Sequence, residues 1–254
     1  MVEIEPVYEL TVIIPAYNEH HFIARTVQSL TEYLTERFTT FEIILVDDGS
    51  SDSTSSVIDN IHLKLPKGCA LKFLVNATNS GKGFSIRRGV LESHGKVVVF
   101  VDADLPYDLE AIDLISKSIS RGADLAIGSR LVSGAEIHTG VPMVRSITGR
   151  AFNLLVQTFL FKGIPDTQCG IKGFSRAAAM DIFPHQTINN FGFDVELLFI
   201  AKLRNCKIEQ IPVKLINYRK ESRVNIWRDS IRMTKDILHI RNNGMNGRYK
   251  VGRQ

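Results

Sequence analysis

The run Val97-Val98-Val99-Phe100-Val101 leads directly into Asp102-Ala103-Asp104. An unbroken β-branched and aromatic stretch between Gly95 and Pro106 fits a strand buried on both faces, as in a parallel sheet covered by helices. Ligands of such sheets bind beyond the carboxyl ends of the strands. Side chains two residues apart on extended chain point the same way, so Asp102 and Asp104 can converge on one small cation. Paired carboxylates suit Mg²⁺ or Mn²⁺, with phosphate and water completing the shell. Asp-X-Asp alone is ordinary loop sequence, and it gains meaning only from what surrounds it.

The same rhythm of apolar strand, polar turn and helix precedes it. Leu10–Ile14 ends in Pro15-Ala16-Tyr17-Asn18-Glu19, followed by Phe22, Ile23, Val27, Leu30 and Leu34 at helical spacing. Phe41–Val46 closes in Asp47-Asp48-Gly49-Ser50, with Asp52 or Ser53 placed to cap a helix carrying Val57, Ile58 and Ile61 inward. Leu71–Val75 turns through Asn79-Ser80-Gly81-Lys82-Gly83 into a helix ending near Glu92. Repetition of this unit predicts right-handed crossovers and a doubly wound, mostly parallel, Rossmann-like α/β sheet flanked by helices. Its turns share one edge, which would gather Tyr17, Glu19, Asp47, Asp48, Lys82, Asp102 and Asp104.

Further on, a helix at about 109–120 and a strand Asp124–Gly128 lead to Ser129-Arg130. Leu131–Pro142, with two glycines and no periodicity, reads as a mobile loop. Val144–Lys162 reads as a helix with an apolar second half, and Asp166–Phe174 as a loop entering a short strand. A helix from Phe191 to about Arg204 and a strand Ile208–Tyr218 follow. The stretch Ile226–Ile240 sets Ile226, Trp227, Ile231, Thr234, Ile237 and Leu238 to one side, with Arg228, Arg232, Lys235 and His239 around them. Such a basic amphipathic helix either packs on the sheet or lies in a lipid headgroup layer.

At 254 residues the chain holds one large domain with an appendage. We expect residues 1–221 to form the domain, its nucleotide-binding half about 8–130 and its acceptor half about 131–221, with 222–254 as basic helix and tail. A net charge of +4 is too weak to indicate nucleic-acid binding. Cys69, Cys169 and Cys206 are odd in number and fit no metal spacing, as expected of reduced thiols in the cytosol. Met1–Glu9 lacks the apolar core of a secretory peptide. No apolar run nears the roughly 18 residues of a spanning helix.

Familiar nucleotide motifs are absent. A Walker loop requires Gly and Ser or Thr where Asn76 and Gly83 stand, and no Gly-X-Gly-X-X-Gly follows the first strand. What remains is a sheet edge with acids for a metal, an aromatic for a base or sugar, and arginines beyond, suited to a diphosphate ligand.

In that order, Pro15-Ala16-Tyr17-Asn18-Glu19, Val46-Asp47-Asp48-Gly49-Ser50, Gly81-Lys82-Gly83, Asp102-Ala103-Asp104 and Gly128-Ser129-Arg130 resemble the inverting family-2 glycosyltransferases of the GT-A fold, over about residues 10–220. Asp166–Lys172 and Phe193–Leu198 are most similar to dolichyl-phosphate β-glucosyltransferases and polyprenyl-phosphate hexosyltransferases, with dolichyl-phosphate mannose synthases as near relatives. The resemblance implies that Pro15, Tyr17, Glu19, Asp47 and Asp48 hold the nucleoside of a nucleotide sugar, UDP-glucose above all. It implies Mg²⁺ or Mn²⁺ on Asp102 and Asp104, with Lys82, Arg87 and Arg223 also on the donor. Arg130 and Arg145 match positions near the lipid phosphate, and Arg150 matches the mannose-synthase branch only.

The acceptor turns on proton chemistry. A sugar hydroxyl needs a general base, whereas a phosphate monoester, with a second pKa near 6, is already an oxyanion at pH 7 and needs cations. Asp166, then Asp194 and Glu196, are the carboxylates able to serve as base, orient substrate or brace the arginines. The expectation is transfer of a hexose to a polyprenyl or dolichyl phosphate by a peripheral enzyme at the cytoplasmic membrane face. Members of that branch often carry a spanning anchor, so a membrane partner or a homo-oligomer stays open. Alternatives are GDP-mannose as donor, a saccharide hydroxyl as acceptor with Asp194 or Glu196 as base, or a silent nucleotide-sugar-binding subunit.

Overall fold

The protein is seen in a computed structural model that describes residues 7–137, 143–217 and 226–249. Its first half alternates as expected: β1 (Tyr8–Ala16), α1 (Ile23–Thr35), β2 (Phe41–Asp47), α2 (Thr54–Asp59), β3 (Ala70–Val75), α3 (Lys82–Leu91) and β4 (Gly95–Phe100). Then come α4 (Glu110–Ser120), β5 (Leu125–Ser129), β6 (Glu136–Ile137), α5 (Met143–Phe159), β7 (Lys172–Ser175), α6 (Arg176–Ile182), a 3-10 turn Phe183–His185, α7 (Phe193–Leu203), β8 (Ile208–Pro212), β9 (Lys214–Leu215) and α8 (Ile226–Met245).

Seven strands form one sheet in the order β3-β2-β1-β4-β7-β5-β8. All pairings are parallel except those of β7, which runs antiparallel between β4 and β5. The period-2 geometry of strands sorts the core into two layers. Leu10, Val12, Ile14, Val97, Val99 and Val101 face α1 and α4, while Ile13, Val98 and Phe100 face α3, α6 and α7. Because β7 is reversed, its beginning, rather than its end, lies on the edge where β1, β2, β4 and β5 finish. That reversal brings the turn around Gly170 to Asp102.

Several expectations need correction. Glu136–Ile137, placed in a structureless loop, pair in parallel with Lys214–Leu215, so two strands of two residues pin part of that loop. The single strand expected over Ile208–Tyr218 breaks at Val213, where the chain leaves the main sheet to make this pair. Helix α8 runs to Met245, and Leu238 does not join its buried side. Ile237 and Ile240 enter the core beside α5 and α7, whereas Leu238 is 58% exposed. For the helix after Asp52, it is the Asp52 carboxylate that accepts from the Thr54 amide, at 2.8 Å.

Candidate active site

At the end of β4 the Val101 amide still bonds to the Ile13 carbonyl of β1, at 3.0 Å, so Asp102 is the first side chain free of the sheet. The chain then turns tightly. Leu105 takes a φ of +42°, which disfavours a branched side chain, and its amide returns to the Asp102 carbonyl at 3.1 Å. Thr26 of α1 donates to the Ala103 carbonyl, fixing the turn between the two acids.

Lys82, at the start of α3, places Nζ 2.5 Å from Asp102 Oδ1. Burial alone would lower the Lys82 pKa, but the charges of Asp102, Asp194 and Asp104 hold it above the ordinary lysine value. The other oxygen of Asp102 rests against Gly170, where an added Cβ would lie 1.9 Å away. Asp104 is half-buried on the same rim.

The side of the edge expected to hold the nucleoside is built from loops. Asn18, in the left-handed region at φ +55°, accepts from the Ser51 amide at 2.8 Å, and the Glu19 amide donates to Thr54 Oγ1 at 2.7 Å. This binds the Pro15–Glu19 turn to the Gly49–Thr54 turn and leaves the Tyr17 side chain 37% exposed on the edge. Asp47 and Asp48 are sealed beneath them. Asp47 accepts from the Ser50 amide and hydroxyl at 3.0 and 2.6 Å and from the Ser55 hydroxyl. Asp48 accepts from Asn76 Nδ2 at 2.7 Å and from the amides of Ser80 and Gly81 at 3.0 and 2.8 Å. Both carboxylates thus anchor the two loops that frame this side.

On the far side of Asp102, Arg130 follows β5 and meets Asp166 in a two-pronged fork, Nε and one terminal nitrogen each 2.8 Å from an oxygen, with the Arg130 amide at 2.9 Å. Such pairs fix the guanidinium plane as well as its place. Burial would raise the Asp166 pKa, and the Arg130 contacts reverse this and hold it below the usual carboxylate range. Of the roles open to it, bracing is the one this geometry fits: a carboxylate doubly bonded to an arginine is a poor proton acceptor.

Three further candidates are engaged by partners within the fold. Glu196 is wholly buried and accepts from the amides of Thr187 and Ile188, the Thr187 hydroxyl and Tyr249 Oη at 2.5–3.0 Å, so it holds the 187–188 loop and the C-terminal turn. Arg87 donates to the carbonyls of Phe183 and Pro184 and ties α3 to the 3-10 turn. Asp194 is buried against Lys172. Arg145 and Arg150 belong to α5 but their side chains lie outside the described residues, as does Arg223 altogether.

The sequence profile of Glycosyl transferase family 2 matches residues 11–183. The chain belongs to glycosyl transferase family 2. Dolichyl-phosphate beta-glucosyltransferases from Dictyostelium discoideum, Saccharomyces cerevisiae and Homo sapiens are 33%, 35% and 31% identical to it, over 95%, 95% and 97% of this chain and 76%, 76% and 79% of theirs. The fold matches that of glucosyl-3-phosphoglycerate synthase from Mycobacterium tuberculosis in complex with UDP, with a TM-score of 0.70 at 17% identity over 92% of this chain and 80% of that one. The same synthase with Mn²⁺, UDP-glucose and phosphoglyceric acid gives 0.66 at 16% identity, over 97% and 82%.

In this family 2 glycosyltransferase one charged residue of the site went unnoticed in the sequence. Lys172 has no exposed side-chain surface, and its Nζ stands 2.5 Å from Asp194 Oδ1 and 2.7 Å from the Cys169 carbonyl. A lysine next to a glycine at the start of a short strand reads as solvated; the reversal of β7 puts it in the core.

Proposed function

We propose that this glycosyltransferase moves glucose from UDP-glucose to the phosphate of a dolichyl or other polyprenyl phosphate, with inversion at the anomeric carbon. The observation that carries this reading is the state of the carboxylates. Asp166 is forked to Arg130, Asp194 is buried under Lys172, and Glu196 is filled by loop donors. None of the three offers an accessible basic oxygen for deprotonating a sugar hydroxyl, and a phosphate acceptor needs none. The named relatives are dolichyl-phosphate glucosyltransferases, which supports the same donor and acceptor.

Residue roles follow from place. The exposed ring of Tyr17 and the loops braced by Asp47 and Asp48 receive the nucleoside. Asp102 and Asp104 present hard oxygen donors on one rim, and no third His, Cys, Asp or Glu joins them in a metal-binding group among the described residues. That donor set fits Mg²⁺ or Mn²⁺ whose remaining ligands are diphosphate oxygens and water. Such an ion, when bound, supplies Lewis-acid stabilisation to the departing UDP. Lys82 adds a positive charge beside the diphosphate. Arg130, aimed by Asp166, holds the acceptor phosphate so that one of its oxygens reaches the anomeric carbon opposite the leaving group. The new C–O bond forms as the bond to UDP breaks, and no proton has to move.

Peripheral membrane contact completes the proposal. Among the described residues no helix is long and apolar enough to cross a membrane. Leu154 and Phe159 of α5 and Leu238 and Met245 of α8 are exposed, with Arg241 lying 5.8 Å from the Phe159 ring centroid and Arg232 and Lys235 on the same helix. Apolar side chains set among basic ones suit an anionic headgroup layer, here assigned to the cytoplasmic face.

Radiolabelled transfer from UDP-glucose, and separately GDP-mannose, to a short polyprenyl phosphate with Mn²⁺ or with chelator tests the reading. Metal-dependent label in the lipid phase from UDP-glucose is expected. Hydrolysis of the donor without lipid label would move the acceptor to a saccharide.

A further inference from the structure

Behind the rim of the donor site lies a row of four side chains whose charges alternate from core to surface. Lys172, opposite Phe100 and Ile127 in the sheet register, is the innermost. Its ammonium is 2.5 Å from Asp194 Oδ1 and 5.6 Å from the Phe100 ring centroid. Asp194 follows Phe193, whose ring centroid lies 5.9 Å from Lys82 Nζ, so its charge acts on Lys82, and Lys82 closes on Asp102 at 2.5 Å. Lys172 also grips the Cys169 carbonyl at 2.7 Å, and the next residue, Gly170, is the one pressed against Asp102. On its other flank its charge falls on Asp166, the brace of Arg130.

Burying an ammonium and a carboxylate together is unfavourable before their attraction is counted, and apolar residues of the same volume often serve stability as well or better. A pair placed here at that cost connects to the rim by two routes, through Asp194 to Lys82 and through the Cys169–Gly170 turn to Asp102. We propose that Lys172 is a positioning residue of the transfer reaction, holding Lys82 and the Gly170 turn so that Asp102 is presented to the donor diphosphate. The inference rests on the reading of the Asp102 rim as the donor site.

The test compares wild type with K172M, D194N and K172M/D194L in three measurements: thermal unfolding, Mn²⁺-dependent binding of UDP by calorimetry, and glucose transfer to a polyprenyl phosphate. In K172M the unpartnered Asp194 draws Lys82 inward, so UDP binding weakens several-fold and kcat falls at least tenfold. K172M/D194L removes both charges at similar volume; its unfolding midpoint recovers toward wild type while kcat stays at least tenfold down. Recovery of UDP binding and kcat together with the midpoint would make the pair purely structural and overturn the proposal. If the double variant does not fold, D194N, which keeps the volume, decides: unchanged binding and kcat in folded D194N overturn it equally. Wild type that binds Mn²⁺ and UDP but transfers nothing to lipid phosphate would remove the proposed acceptor, whereas weaker UDP binding in the variants would still uphold the positioning role.

Discussion

A methyl group on Gly170 would sit 1.9 Å from Oδ2 of Asp102, closer than any packed pair of atoms allows. The glycine therefore shapes the Asp102 rim, the proposed metal site, although it offers no ligand. Gly170→Ala must push the carboxylate aside or shift the turn before β7. Loss of Mn²⁺-dependent activity on the order of 10–100-fold is expected, the range for disturbed supports of metal ligands. Activity titrated against Mn²⁺, beside an unfolding curve close to wild type, checks it; wild-type metal dependence would mean that the rim yields without consequence.

On the proposed reading, Lys82 and a divalent ion would compete for the same carboxylate. Lys82→Met leaves Asp102 without its 2.5 Å partner, so Mn²⁺ alone should bind more tightly than to wild type. Transfer should nevertheless fall, because the charge beside the diphosphate is lost. Calorimetry with Mn²⁺ in the absence of nucleotide, paired with kcat, separates the two effects. Tighter metal with unchanged turnover would remove Lys82 from the donor site.

How much of this was legible beforehand follows the physics of each part. Apolar runs ending in acids, such as Val97–Asp104, announce strands and the edge they share, because burial and exposure change within one residue. The pairing of Glu136–Ile137 with Lys214–Leu215 left no trace, since two residues have no periodicity. Asp47, Asp48 and Glu196 were recognisable as special, but their partners are mostly hydroxyls, side-chain amides and backbone N–H groups of turns. A spare carboxylate and a saturated one look the same in sequence. Lys172 was hidden for another reason: the reversal of β7 is a tertiary choice, and it converts a turn lysine into a core one.

The Arg130–Asp166 fork predicts a pH effect of definite sign. The Asp166 pKa is held below its usual value, so its contribution to stability is complete above the ordinary carboxylate pKa of about 4 and is lost as pH falls through the lower, folded value. Asp166→Asn should cost about 1–3 kcal/mol at pH 7 and flatten the acid side of the stability profile. The KM for the lipid phosphate should rise more than the KM for UDP-glucose, since Arg130 loses its aim. Denaturant unfolding between pH 2 and 7, with both KM values at pH 7, checks this; a larger effect on the donor would place Arg130 with the nucleotide instead.

Acceptor chemistry is testable by pH as well. With a phosphate nucleophile, kcat/KM for the acceptor should rise through the second phosphate ionisation, near 6, and stay level to about pH 8.5. A further rising limb with a higher pKa, lost in a carboxylate variant, would instead indicate a general base and a hydroxyl acceptor.

Glu196 offers the clearest separation of fold from chemistry. Its two oxygens receive Thr187, Ile188 and Tyr249, joining the loop that seats on α3 to the end of the chain. The same loop places the Asn189 carbonyl 2.7 Å from the Gly83 amide, at the first turn of α3 that also carries Lys82. In Glu196→Gln one oxygen becomes an amide facing donors, leaving buried N–H groups unpaired at a cost of about 2–3 kcal/mol. The unfolding midpoint should drop, and the loop should exchange its amide hydrogens faster. At temperatures well below the midpoint, kcat should remain within a few-fold of wild type, because both Glu196 oxygens are taken up by Thr187, Ile188 and Tyr249. A collapse of kcat in a fully folded Glu196→Gln protein would return this carboxylate to the chemistry.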